Sequence, residues 1–231
     1  MNYILWNNKD SRDIKGLLIS ELPPITKPNM RVRETVIDGV DGSIIEEFGY
    51  ESYDKSVAIG LKPDADIDKI TEFFVGSGEV VFSNEPDKYY IARVIKSIDY
   101  ARLLRYRVAV VTFRVQPFKY ARAEATREAT SESQGITVKN NGNYTAKPLI
   151  TITGSGTVEL VVNGKKVFRY TFPSDENTVM LDCEKQDAYL ENILKNRNME
   201  GNFPILEKGN NIISWYGAVE NIQFKKYSRW L

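Results

Sequence analysis

The sequence predicts a mainly β chain in two domains: an α+β first domain with one helix, and a β-sandwich second domain. Three observations carry this. Strand signals punctuated by turn residues recur roughly every 8–12 residues in the second half. A single strong helical pattern lies in the first half. Between the halves, residues 121–134 contain no aliphatic residue larger than alanine. That stretch cannot pack a core, so it reads as a connector. The expected boundaries are 1–122, a connector at 123–137, and 138–231.

The first domain opens with a short strand at 3–6 and turn chemistry at Asn7, Asn8, Asp10 and Ser11. A second strand is expected at 15–20. Pro23, Pro24 and Pro28 then keep the chain extended. Residues 31–37 alternate and read as a strand. Asp38-Gly39-Val40-Asp41-Gly42 follows, which predicts a hairpin or bulged loop. Residues 52–61 place Tyr53, Val57, Ile59 and Leu61 on one face, with Lys55 the exception. Ile67, Ile70 and Phe74 fall at helical spacing with Phe73 alongside. Asp64 or Asp66 can cap that helix, and Gly76 or Gly78 can end it. Asp64, Asp66 and Asp68 lack the glycine and distal glutamate of a calcium loop, so capping is the reading.

Residues 79–83 and 88–98 read as paired strands around the turn Asn84-Glu85-Pro86-Asp87, and 100–104 leads into a strand at 106–115. That strand is apolar on both faces near its middle, which predicts a central, doubly covered position. Pro117 is expected to end it. The second domain has strands expected at 147–154, 157–162, 165–172, 177–183, 209–215 and 218–226. Asn163-Gly164 is its strongest hairpin signal. Residues 188–195 read as a short helical turn.

Composition narrows the function. Lys plus Arg and Asp plus Glu are both 31, so net charge is zero and no global basic field draws nucleic acid or anionic lipid. Histidine is absent, which removes histidine-based catalysis and histidine-ligated metals. Cys183 is the lone cysteine and reads as a small buried hydrophobe. No phosphate loop is present, and pairs such as Glu46-Glu47 are expected by chance among so many acids. No cofactor or metal is expected. The apolar run at 3–6 is too short for a signal peptide, and nothing approaches a membrane-spanning length. Arg102, Arg105, Arg107 and Arg114 lie near Tyr100 and Tyr106, and solvated strand faces explain them better than a nucleic-acid surface.

Several motifs, in order and over nearly the whole chain, point further. They include 37–42 (IDGVDG) with Gly49-Tyr50-Glu51-Ser52-Tyr53, then 81–90 (VFSNEPDKYY) and 113–120 (FRVQPFKY). In the second half they include 141–148, Leu181-Asp182-Cys183-Glu184 and Asn202-Phe203-Pro204-Ile205-Leu206 with Gly209-Asn210-Asn211. In these the chain resembles the distal tail (Dit) proteins of siphophages of Gram-positive hosts. The resemblance implies a virion structural protein of the tail tip or baseplate, and no enzyme. Residues 1–122 would form the belt domain of a hexameric ring, and 138–231 a galectin-like or carbohydrate-binding-module-like sandwich outside it. Expected partners are the other ring copies, the major tail tube protein, the tail-associated tip protein and a receptor-binding protein. DNA would pass through the lumen without specific binding, and no membrane is involved. The protein would be located in the virion tail after assembly in the host cytoplasm.

Two site expectations follow. Val40, Ile44, Ile45, Phe48 and Tyr50 are apolar residues beside turn signals, where a monomer normally exposes polar groups, so they are expected at the ring interface. The alternative function is a lectin-like module for host cell-wall glycans, with Trp215, Tyr216 and Trp230 as contacts. Alternation places Trp215 on the face of Ile213, which suggests burial, and no histidine is available to complete a galectin-type site. That favours docking and spacing over sugar binding for residues 138–231.

Overall fold

The computed structural model describes residues 1–96, 98, 105–133 and 135–231. The expected lead-in at 100–104, with Tyr100 and Arg102, lies outside them. The chain divides into two compact units, Met1–Arg122 with Leu231, and Ala123–Trp230.

The first unit contains β1 (Ile4–Trp6), β2 (Lys9–Asp10), β3 (Leu17–Glu21), β4 (Met30–Val36), β5 (Ser43–Tyr50), β6 (Tyr53–Leu61), α1 (Ile67–Phe73), β7 (Ser77–Phe82), β8 (Lys88–Val94) and β9 (Val108–Ala121). Its main sheet runs β2-β1-β7-β8-β9-β6-β3. The pairings along that path are antiparallel. The strand expected at 106–115 is central, but it differs from expectation in two ways. It continues through Pro117, because the ladder with β8 breaks register there: Ala92 faces Val115 while Tyr90 faces Lys119. The unpaired residues between them hold the proline, which needs no partner. Its outward side chains Val108 and Val110 are exposed while Thr112 on the same face is buried, so the second face is covered only in part.

On the covered face Phe113 sits among Trp6, Phe74 and Phe82, at ring-centroid distances of 5.2, 6.2 and 5.9 Å. α1 supplies Ile70 and Phe73, with Phe74 at its end. Asp66 caps it, accepting from the Lys69 amide at 3.2 Å. β4 and β5 stand apart as a two-stranded sheet of their own.

The second unit contains β10 (Arg127–Thr130), β11 (Gly135–Asn140), β12 (Leu149–Val162), β13 (Lys165–Thr171), β14 (Thr178–Asp182), β15 (Asp187–Leu190), β16 (Ile193–Leu194), β17 (Met199–Gly201) and β18 (Gly209–Lys225). β12 and β18 pair along most of their length. Their first and last portions, respectively, join β10, β14, β15 and β16, and their other portions join β11, β13 and β17. The two long strands therefore pass from one layer of the sandwich to the other. Ile150, Ile152, Leu160, Tyr170, Leu181, Ile213, Ile222 and Phe224 fill the core between the layers. Asn163 and Gly164 both have positive φ, as a two-residue hairpin turn of this type requires.

Two expectations are corrected here. Residues 188–195 form no helical turn: they give β15 and β16, followed by a 3₁₀ turn at Asn196–Asn198. Ala188 is buried and its amide is held by the Asn196 side chain. The stretch 123–137 is not a bare connector, since β10 pairs with β18 and buries Ala129, and β11 begins at Gly135. Alanine is small enough to fit under that edge, which is why the absence of larger residues did not leave the segment unpacked.

Candidate functional site

The feature that a folded monomer does not explain is the β4–β5 ribbon. Its register pairs Val36 with Ser43, Thr35 with Ile44, Glu34 with Ile45, Arg33 with Glu46 and Val32 with Glu47. Side chains alternate across a strand, so Ile44 and Phe48 share one face with Thr35, Arg33 and Glu46. Ile45, Val32 and Val36 lie on the other face. Both faces are therefore apolar and uncovered: Val40 is 61% exposed, Ile44 55%, Ile45 60% and Phe48 47%.

Polar contacts edge each face. Arg33 reaches Glu46 at 3.4 Å, and its guanidinium lies 5.2 Å from the Phe48 ring centroid. On the other face Ser43 donates to Glu34 at 2.5 Å. Gly49 has positive φ at the register shift between Met30 and Val32. Gly39 and Gly42 do the same in the tip loop, where Val40 sits.

The five expected interface residues thus fall on one ribbon but not on one surface. Ile44 and Phe48 share a face, Ile45 points the other way, and Val40 is at the tip. Tyr50 is half-buried at the root, edge-on to Phe118 at 5.9 Å. Val32, Val36 and Ile37 are exposed with them and were missed. The signal was present in the alternation of 31–37, whose Val32 and Val36 have equal parity. Residues 43–50 were not expected as a strand, because Glu46-Glu47 and Gly49 interrupt the pattern.

In the second unit the three aromatics separate. Trp215 packs on the sandwich core and Trp230 is half-buried. Tyr216 is 61% exposed. It stands in a cross-strand row with Glu159, Arg169 and Glu200, built by β18, β12, β13 and β17. A register shift in β13 after Lys166 turns both Lys166 and Arg169 toward Glu159. Lys166 bonds Glu159 at 2.6 Å and places its ammonium 5.3 Å from the Tyr216 ring centroid. Arg169 reaches Glu200 at 3.4 Å. Glu159, Lys166, Arg169 and Glu200, though not Tyr216, line an open groove of about 280 Å³. Its cations and carboxylates already satisfy one another, and the ammonium occupies one face of the ring that a sugar would stack on.

Among the described residues no group of His, Cys, Asp or Glu is placed to hold a metal ion. Cys183 is buried, and burial pushes its thiol pKa up, away from a reactive thiolate. Arg105 lies over Tyr106, and Arg114 pairs with Asp54 at 2.6 Å. No helix among the described residues is long and apolar enough to cross a membrane.

No family model and no curated protein matches the chain. Among solved structures, the Dit protein of phage SPP1, described as a paradigm of the hub adsorption apparatus in phages infecting Gram-positive bacteria, has a similar fold. The TM-score is 0.73 at 15% sequence identity, covering 98% of this chain and 99% of that one. The likeness spans both units, so the fold of the chain is that of a Dit protein from end to end.

Proposed function

We propose that the chain is a structural hub of a phage tail's distal adsorption apparatus. Residues 1–122 act as the ring-forming belt, six copies closing around a channel. The ring joins the tail tube protein to the tip protein and carries receptor-binding proteins. DNA passes through its lumen without specific contact, and the protein catalyses nothing and holds no cofactor.

The observation that carries this reading is the β4–β5 ribbon, apolar on both faces, in a chain with the Dit fold over its full length. A lone two-stranded ribbon is marginal in water. Each covered Ile, Val or Phe is worth roughly 1.5–3 kcal/mol. Neighbouring copies of the same chain can cover both faces, one copy to each side. A closed ring repeats one such heterologous contact until it meets itself.

Multi-angle light scattering on the full chain tests it. The wild type should reach the mass of six copies, or approach it with rising concentration. The double substitution Ile44→Lys and Ile45→Lys, one on each face, should remain monomeric, and at a dilution where the wild type is monomeric too its melting temperature should be unchanged. A wild type that stays monomeric at high concentration would count against the ring.

A further inference from the structure

The chain enters the ribbon through residues 22–29, which belong to no strand and contain Pro23, Pro24 and Pro28. Proline has no N–H to give, and this segment lies in no backbone ladder. Its far end is tied by the Glu51 amide donating to the Asn29 carbonyl at 2.9 Å, and Pro23 and Pro28 are buried. The carbonyls of Pro23, Pro24 and Thr26 are met by side chains that reach the segment from outside it. Asn84 Nδ2 donates to the Pro23 carbonyl at 3.0 Å, Lys55 Nζ to Pro24 at 2.8 Å, and the Tyr53 hydroxyl to Thr26 at 3.3 Å.

Lys55 is the unusual member. It occupies the inward face of β6, in line with Val57, Ile59 and Leu61, and is only 3% exposed. Its ammonium lies 5.4 and 5.1 Å from the ring centroids of Tyr53 and Tyr90. The carboxylate of this pocket, Glu85, is engaged by Lys119 at 2.5 Å and by the Tyr90 hydroxyl at 3.1 Å. Among the described residues Lys55 has no ion pair, and its direct hydrogen-bond acceptor is the Pro24 carbonyl. Burial pulls its pKa down to about 8. Holding a cation there opposes folding at neutral pH, and an apolar side chain of similar length would fill the site without that penalty.

We infer that Lys55 is a positioning residue for the ribbon: it ties Pro24 to the sheet and so fixes where β4 leaves it, at the expense of the first unit's own stability. The part of this that concerns assembly rests on the ribbon being the ring contact. The positioning itself does not.

The test compares the full chain with Lys55→Met by thermal melting and by hydrogen exchange read by mass spectrometry, at a dilution where both are monomeric. The melting temperature should be equal or higher. Exchange in 22–51 should be several-fold faster, with β7 and β9 as protected as before. A merely structural lysine would instead lower the melting temperature and raise exchange across the unit. That result, failure of the variant to fold, or unchanged exchange in 22–51 would each overturn the inference. Light scattering at higher concentration then separates the two readings. If the wild type does not assemble but exchange in 22–51 responds as stated, the ring reading fails and the positioning role stands. If the wild type assembles and the variant does so less well, both hold.

Discussion

Lys55 stood out in the sequence as the one polar residue on the apolar parity of 52–61, and its burial turns that irregularity into a pH dependence. The ordinary lysine value is 10.5, and the folded value is about 8. Between those two values the unfolded chain binds more protons at this group than the folded chain does. Stability must therefore rise with pH across that window and be insensitive to Lys55 below it. At about 1.4 kcal/mol per pH unit, the whole interval is worth roughly 3 kcal/mol. The groups facing the ammonium are Tyr53, Tyr90, Glu85 and Lys119, and burial pushes the two phenols' ionisation upward, away from this window. Urea denaturation followed from pH about 7.5 to about 9.5 should show a rising midpoint in the wild type and no such rise in Lys55→Met. Equal slopes in both would assign the effect to other groups. What could not be read from the sequence is the acceptor: Pro24 lies 31 residues away, and nothing in either segment's pattern announces that contact.

At the scale of elements, the sequence was readable where a local rule decides, as at the Asp66-capped helix and the Asn163-Gly164 hairpin. It was unreadable where tertiary geometry overrides the rule. The sequence divides 147–162 and 209–226 into four strands, with breaks near Gly154, Gly156 and Gly217. In the structure they are bends within two long ones. A Cβ on Gly154 would come within 2.3 Å of the Ala218 carbonyl, and one on Gly217 within 2.1 Å of the Thr157 carbonyl. Glycine is required there because two backbones nearly touch. The same distinction sets the order of proteolysis. Arg127 is laddered opposite Phe224, whereas Arg31 and Arg33 lie in a ribbon with nothing behind it. Brief trypsin treatment of dilute protein should cut in the ribbon first and spare Arg127. A first cut at Arg127 would mean that β10 frays readily and that 123–137 behaves as a free connector after all.

At the scale of the whole molecule, charge and apolarity make different claims about assembly. The chain carries 31 basic and 31 acidic residues, so copies neither attract nor repel one another strongly at long range. The ion pairs on the ribbon are internal to it: Arg33 is paired with Glu46 of the same hairpin. Exposed pairs of this kind contribute little, about 0–1 kcal/mol, and salt weakens them. What remains to drive association is the covering of Val32, Val36, Ile44, Ile45 and Phe48. Burial of that kind is not screened by salt and weakens on cooling. The neutral balance and the apolar Ile44, Ile45 and Phe48 are legible in the sequence, but Val32 and Val36 join them only once β4 and β5 are seen as a ribbon whose two faces are both bare. Raising sodium chloride from roughly 0.1 M to roughly 1 M shortens the screening length from about 10 Å to about 3 Å. The assembled mass should survive that change, and lowering the temperature toward 4 °C at fixed salt should shift the distribution toward smaller species. Dissociation by salt with indifference to cooling would instead place the contact in ion pairs between copies, and the ribbon's apolar faces would then need another partner.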